Sequence, residues 1–295
     1  MLLVNQTLEL EKRIGIENAV GVLADAGFDA LDFTMTAASL AERIMGEDWR
    51  GFINVVKRAA AEHNISFVQS HAPFAFPQLQ ADGAVYDEVY KSIVFPRTLR
   101  ALEISAELGV KIMVVHPIHY ADYHLHAKEM HDKSMAYYRE LIPYCREFGV
   151  KVALENMWQC NRFSKAIEAD TCSCAYEFAA WVDELDSEYI TGCLDIGHCG
   201  LTGEDAAQSI RIIGADRIGC LHVHDNDNVH DSHTLPGVGK INWKSVTKAL
   251  HDTGYQGNFT FEADEFYNGF EDEFLPEAAK FMCRRGRQLI KMVEE

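Results

Sequence analysis

The sequence predicts an α/β protein with the (β/α)8 (TIM) barrel fold, a ring of eight parallel strands that are each followed by a helix. Short runs of apolar and β-branched residues alternate with longer segments of helical period, and eight such runs occur in 295 residues. Several runs are apolar almost throughout, as expected for strands that helices cover. Because no linker-like tract divides the chain, we expect one barrel domain over residues 1–295.

The predicted strands follow one another at intervals that leave room for a helix and its loops. They cover residues 2–4, 30–34, 65–71, 111–117, 151–156, 191–198, 218–225 and 258–264. Apolar stripes at helical spacing predict the helices between them. Trp243 should begin the seventh helix, with Asn242 as its cap. The last helix should bury a stripe made of Phe274, Ala278, Phe281, Leu289 and Val293.

Composition limits the partners and the location of the protein. The chain has 27 basic and 45 acidic residues, a formal charge of −18, and so acidic a surface repels the phosphate backbones of DNA and RNA. We find no apolar run of membrane-spanning length and no secretory signal, so we expect a cytoplasmic protein with reduced cysteines. Cys193 and Cys220 lie in apolar runs and should be buried. A homo-oligomer is compatible with this composition.

Six successive predicted strands end in a side chain that can bind a metal ion. These residues are His71, His116, Glu155, Asp195, His222 and Glu262, and His198 follows Asp195 by three positions. The carboxyl ends of all strands meet at one mouth of such a barrel. One of these residues alone would more readily be a structural group or a helix cap. Six in succession would crowd unpaired polar groups together unless a cation neutralised them, so we expect a divalent metal site.

Residues 221–243, LHVHDNDNVHDSHTLPGVGKINW, concentrate the same chemistry. Four histidines and three aspartates fall within the first thirteen residues of this stretch. Imidazole and carboxylate are the ligands of catalytic divalent metals. Asp231 and His233 are therefore further candidates. The PGVGK segment could face a phosphate through its glycine amides and lysine, but a turn is the simpler interpretation.

These motifs resemble those of the xylose isomerase-like barrel superfamily, which includes sugar isomerases and epimerases, inosose dehydratases and endonuclease IV-type nucleases. The matching stretches are SHAPF, VVHP, ALEN, CLDIGH, LHVHDND, DSHTLPGVGKINW and FTFEAD, from the third to the eighth strand. In the epimerase branch, two Glu, one Asp and one His hold one metal ion. The resemblance maps these ligands onto Glu155, Asp195, His222 and Glu262. Such a set suits zinc, manganese, magnesium or cobalt.

The resemblance implies a divalent-metal-dependent isomerase or epimerase that acts on a small-molecule sugar, sugar phosphate or polyol ketone. The metal ion would stabilise an enediolate while Glu155 and Glu262 remove and return the proton. His198 would bind or polarise a substrate oxygen. Trp158 is a candidate wall for a sugar face. Histidines 119, 124, 126 and 131 are expected in a long loop after the fourth strand, mostly in solvent, with one or two over the pocket.

The nuclease branch is the main alternative. It holds three zinc ions with the same four ligands plus five more, which match His71, His116, His198, Asp231 and His233. The acidic loop after the seventh strand and the arginine-poor region after His116 favour sugar chemistry over abasic DNA.

The exact substrate stays open because the chain departs from ketose epimerases at two places. They carry a second Glu where this chain has Asn161, and an Arg where it has Asn226 and Asp227. An inosose dehydratase-type lyase and a non-catalytic sugar-binding barrel are further alternatives.

Overall fold

Eight parallel strands form a nearly closed barrel in the computed structural model, which describes residues 1–74 and 86–295. In chain order the strands are β1 Leu3–Gln6, β2 Ala30–Thr34, β3 Phe67–His71, β4 Ile112–Val115, β5 Lys151–Glu155, β6 Trp158–Cys160, β7 Ile167–Ala169, β8 Ile190–Asp195, β9 Ile218–His222 and β10 Phe259–Phe261. Strands β6 and β7 pair antiparallel with each other as a hairpin apart from the barrel. The other eight confirm the predicted barrel.

The barrel closes between β9 and β10, the two ends of the strand order. Strand β10 pairs with β1, where Phe259 lies opposite Leu3. Strands β9 and β10 meet through one parallel bridge between Val223 and Phe261, and Glu262 N donates to Val223 O at 3.2 Å. The strands that carry His222 and Glu262 are therefore neighbours at the mouth.

Helices alternate with the barrel strands. The α-helices are α1 Leu8–Ile14, α2 Ile16–Ala26, α3 Ala38–Met45, α4 Trp49–Glu62, α5 Tyr86–Val89, α6 Phe95–Glu107, α7 Tyr123–Phe148, α8 Ala175–Leu185, α9 Ile196–Leu201, α10 Ala206–Ile213, α11 Trp243–Thr253 and α12 Leu275–Glu294. A π-helical turn, Tyr90–Val94, joins α5 to α6. Within the described ranges, no helix combines the length and the apolar character needed to cross a membrane.

The cap of α11 is as predicted, but the stripe of α12 is only partly so. Asn242 precedes Trp243, and its side chain accepts from Ser245 N. Ala278, Leu289 and Val293 are buried as expected. Phe274 and Phe281 are 48% and 50% exposed, so their predicted burial is wrong. Phe274 precedes α12, and Phe281 instead stacks on the half-buried Phe266 at the surface.

Alternation along the strands places two layers of side chains inside the barrel. The lower layer includes a buried apolar cluster of Val114, Ala153, Cys193 and Cys220, which confirms the predicted burial of both cysteines. In the same layer Thr260 Oγ1 donates across the barrel to Gln69 Oε1 at 2.8 Å. The six predicted metal-binding residues each lie two positions after a residue of the lower layer. The period of two in a strand therefore raises them to the mouth.

Candidate metal centre

Glu155 and Glu262 meet at one nitrogen of His222. His222 Nδ1 lies 2.7 Å from Glu155 Oε1 and 3.0 Å from Glu262 Oε2. Asp195 joins them, because the four side chains each offer a ligand atom within 4.8 Å of the others. We call Glu155, Asp195, His222 and Glu262 the primary set. Because they end strands β5, β8, β9 and β10 or follow them directly, the rigid barrel fixes their spacing.

The primary set fits a divalent cation. Asp195 is fully buried, and its Oδ2 atom has no hydrogen-bond partner among the described residues. Leaving a buried carboxylate oxygen unpaired is costly, and a cation is the partner that would satisfy it. Two Glu, one Asp and one His form a hard, mixed oxygen and nitrogen donor set of the kind that first-row divalent metals and zinc accept.

The two glutamates of the primary set are in the ionised state that metal binding needs. Burial raises the pKa of Glu155, but the charge of His222 and hydrogen bonds from His116 and His222 outweigh it and hold this pKa well below its usual range. Burial acts on Glu262 in the same way, and His222 again holds its pKa below the ordinary value. Both carboxylates are therefore ionised at neutral pH, the state in which they bind metal.

A second group shares Glu155 with the primary set. His71 and His116 end or follow the neighbouring strands β3 and β4, and their Nε2 atoms are 3.2 Å apart. The same atoms lie 3.5 Å and 3.0 Å from Glu155 Oε2. His71 Nδ1 is 2.8 Å from Ala72 O, which fixes the ring so that Nε2 faces Glu155. Ligand atoms of these three residues can therefore converge on one ion.

A third group contains a residue that the sequence reasoning did not select. His198, Asp231 and His233 come together as predicted candidates, and His224 is the fourth member of the group. His224 is fully buried, its ring stacks on that of His233 at 4.0 Å, and its Nε2 lies 3.8 Å from Asp231 Oδ1. The H-x-H spacing was the available signal, because residues two apart on a strand face the same side.

Polar residues outside the candidate set hold these side chains in place. Gln6 Nε2, at the end of β1, donates to Glu262 Oε1 at 2.7 Å. Asn156 Oδ1 accepts from Asp195 N at 2.7 Å, and Asn156 O lies 2.7 Å from His198 Nδ1. Trp158 Nε1 donates to Asp231 Oδ2 at 3.0 Å. Sequence reasoning missed Gln6 and Asn156, because an amide near a strand end has no distinctive spacing.

Asp225 explains the PGVGK segment, which folds as a turn around its carboxylate. The buried Asp225 side chain accepts from Gly237 N at 2.6 Å, Trp243 Nε1 at 2.8 Å, Asn226 N at 2.9 Å and Ile241 N at 3.1 Å. A side chain at Gly239 would collide with the backbone of Asn226. The glycine amide of Gly237 is thus already used, as the turn interpretation requires.

We expect Asp225→Ala to destabilise the fold strongly. The change would leave four donors without their acceptor, two of them on the buried residues Asn226 and Trp243, and we expect it to lower the free energy of unfolding by at least about 3 kcal/mol. Urea unfolding would measure it. Asp227→Ala is the matched control, because the half-exposed Asp227 accepts, among the described residues, only within its own loop, from Val229 N and His230. Equal stabilities of the two variants would contradict this role of Asp225.

A cavity of about 750 Å³ opens above the three groups. Residues of all three groups line it, including Glu155, Glu262, His198 and Asp231. Trp158 lies on its wall, where the sequence placed a candidate sugar contact.

The predicted long loop after the fourth strand is wrong for three of its four histidines. His124, His126 and His131 lie on α7, which begins early because the Asp122 side chain caps it by accepting from His124 N. His119 precedes the helix and lines the cavity.

Comparison with known proteins places the chain among barrels of related sequence. The family described as xylose isomerase-like TIM barrel matches residues 20–285. A D-psicose 3-epimerase from Ruminiclostridium cellulolyticum is 24% identical over 81% of this chain and 75% of its own length. A probable endonuclease 4 from Shouchella clausii is 27% identical over 68% of each chain. An uncharacterised protein from Methanocaldococcus jannaschii is 28% identical, and the match spans 65% of this chain and 62% of that protein.

Solved structures share the fold over nearly the whole chain. A D-tagatose 3-epimerase-like protein superposes with a TM-score of 0.74 at 19% identity, covering 100% of this chain and 98% of the other. A 3-keto-D-glucoside 4-epimerase from E. coli gives a TM-score of 0.72 at 18% identity, covering 98% and 99%. At these identities the likeness shows the fold alone.

Proposed function

Because the chain belongs to the xylose isomerase-like TIM barrel family, we propose that it is a divalent-metal-dependent isomerase or epimerase of a sugar or polyol ketone. The observation that carries the proposal is the pair of carboxylates, Glu155 at the end of β5 and Glu262 directly after β10, that approach His222 Nδ1 at the floor of one cavity. Binding alone would not need two ionised glutamates that share one position. Inversion of one substrate carbon uses two such groups, because the proton leaves one face and arrives at the other.

The primary set would hold one divalent ion, which acts as a Lewis acid and lowers the cost of negative charge on a substrate oxygen. Glu262 takes a proton from the carbon beside the carbonyl, and the electrons of the C–H bond move towards the carbonyl oxygen. Glu155, which takes up a proton from solvent beforehand, gives that proton to the same carbon from its other face and so inverts the carbon, and Glu262 later releases its own proton to solvent. Return to the neighbouring carbon instead gives the isomer. Gln6 orients Glu262 for this task through its hydrogen bond to Oε1.

Phosphodiester cleavage in DNA is the second candidate, and the two additional ligand groups favour it. Five further residues supply the additional metal ligands that a site for three ions needs. They are His71 and His116 on one side and His198, Asp231 and His233 on the other. The similarity to a probable endonuclease 4 also supports this second candidate.

Two features weigh against this second candidate. The net charge is −18, and Arg162 is the one Lys or Arg among the described residues that line the cavity. His224 also adds a fourth protein ligand to its group, and zinc sites with four protein ligands lack the open position that a hydrolytic site uses.

Metal content tests the choice between the two functions. Elemental analysis of protein purified without added metal should find a tightly held divalent ion, and Asp195→Asn should lower the content by about one ion per chain. Asp205→Asn is the matched control, because the exposed Asp205 caps α10 and Asn caps equally well. Three zinc ions per chain, together with incision of abasic duplex DNA, would contradict the sugar proposal.

A further inference from the structure

The cavity is larger than one sugar ring requires. Its floor is formed by fully buried groups such as Glu155, and its rim reaches Leu125 and Phe163, which are 77% and 79% exposed. A volume of about 750 Å³ lies towards the upper end of sites that take drug-sized ligands. A ketose bound at the primary set would leave the outer part of this space to solvent. The outer part is therefore available to a second chemical group of the substrate.

An asparagine turn holds the aromatic part of the rim. The β6–β7 hairpin carries Phe163 at its tip, where Asn161 Oδ1 accepts from Phe163 N and Ser164 N at 3.0 Å each. Asn161 Nδ2 donates to Glu168 Oε2 at 3.0 Å, which ties the tip to β7. The departure from ketose epimerases at Asn161 thus builds the turn that brings an aromatic ring to the cavity.

A fixed polar pair also lines the cavity. His119 Nδ1 lies 2.7 Å from Asp170 Oδ2, and Asp170 Oδ1 accepts from Thr171 N at 2.7 Å. Asp170 is 2% exposed, so its carboxylate is held in place beside the His119 ring. The proton transfer derived above uses neither residue. An aromatic ring together with oriented hydrogen-bonding groups is the chemistry that receives the apolar face and the hydroxyls of a sugar ring.

We propose that the substrate is a glycosylated ketose, whose second sugar unit lies in the outer part of the cavity against Phe163 and the His119–Asp170 pair. The ketose unit lies at the primary set, so the inference rests on the proposed function. Phe163 and His119 are then specificity residues, which act on the second unit. The near absence of Lys and Arg from the lining fits a neutral glycosyl group better than a phosphate.

Calorimetric binding to the manganese-loaded protein tests the inference with two probes, fructose and its glucosylated form isomaltulose. Isomaltulose should bind at least about tenfold more tightly than fructose. Phe163→Ser should reduce that preference about tenfold, because it removes apolar contact area, and His119→Ala should reduce it several-fold through a lost hydrogen bond. Tyr176→Ser is the matched control. Tyr176 is 70% exposed and lies outside the cavity lining, so its loss should leave the preference unchanged.

The outcomes separate this inference from the proposed function. Equal affinities for the two sugars, no binding of either, or a preference that survives both cavity variants would overturn the second-unit site. Tight binding of isomaltulose without exchange of its carbon-bound hydrogen would support the site and contradict the proposed chemistry. Hydrogen exchange with fructose and no preference for isomaltulose would support the proposed chemistry and contradict the second-unit site.

Discussion

Glu262→Gln should give a folded protein that still binds its metal ion. Its proton-exchange rate should be about 10² to 10⁴ times lower than that of the wild type. The change preserves size and removes the charge and the proton-accepting oxygen. Gln6 can still hydrogen-bond to the amide oxygen that replaces Glu262 Oε1. The metal keeps Glu155, Asp195 and His222, so its affinity should fall less than the rate. Solvent hydrogen exchange and metal titration on the same preparation would measure both.

A nearby glutamate provides the control for this variant. Glu265 lies three residues on, is exposed and, within residues 1–74 and 86–295, accepts only from Asn268 Nδ2. Glu265→Gln should therefore keep both rate and metal affinity. If Glu262→Gln keeps near-normal turnover on the true substrate, the two-glutamate mechanism is wrong, and the proton must pass through His198 or solvent hydroxide.

Glu155→Gln should lower both the proton-exchange rate and the metal affinity, whereas Glu262→Gln should mainly lower the rate. Glu155 is 1% exposed, and its oxygens approach His71, His116 and His222. Removing its charge leaves these imidazoles without their shared carboxylate, and unpairing a buried charge network costs about 3–5 kcal/mol. We expect metal affinity to fall by more than about 100-fold, beyond the loss seen when a residue behind a ligand is changed.

Thermal unfolding with and without added metal would measure the Glu155→Gln effect. The variant should unfold at a lower temperature than the wild type and respond little to added manganese, whereas Glu265→Gln should behave as the wild type. A Glu155→Gln protein that retains its metal and its stability would show that Glu155 is not the centre of the site.

The barrel and the residues at its strand ends could be predicted because two simple periodicities combine. Alternation along a strand places Cys193 below Asp195 and Cys220 below His222, and barrel closure brings these ends together. Short β-branched runs bounded by polar residues are clear signals of strands. The nine candidate ligands lie together at the barrel mouth, as the two periodicities predict. Their roles in metal binding stay predictions.

What the sequence did not reveal depends on contacts between distant segments. Gln6 and Asn156 are ordinary amides until the fold sets them beside Glu262 and Asp195. The β6–β7 hairpin consists of two strands of three residues each, too short for a periodic pattern. Phe281 fits the helical spacing of the buried residues of α12, yet it is half exposed. It lies next to the buried face, and spacing alone does not define how wide that face is.

Hydrogen exchange into a ketose in D₂O tests the central claim most directly. Manganese-loaded protein should place deuterium on the carbon beside the carbonyl of at least one sugar in a panel of free and glycosylated ketoses, and chelator-treated protein should place none. Mass spectrometry and proton NMR would locate the label. Absence of label from every ketose, with incision of abasic duplex DNA by the same preparation, would contradict the account and assign the metal centre to phosphodiester cleavage.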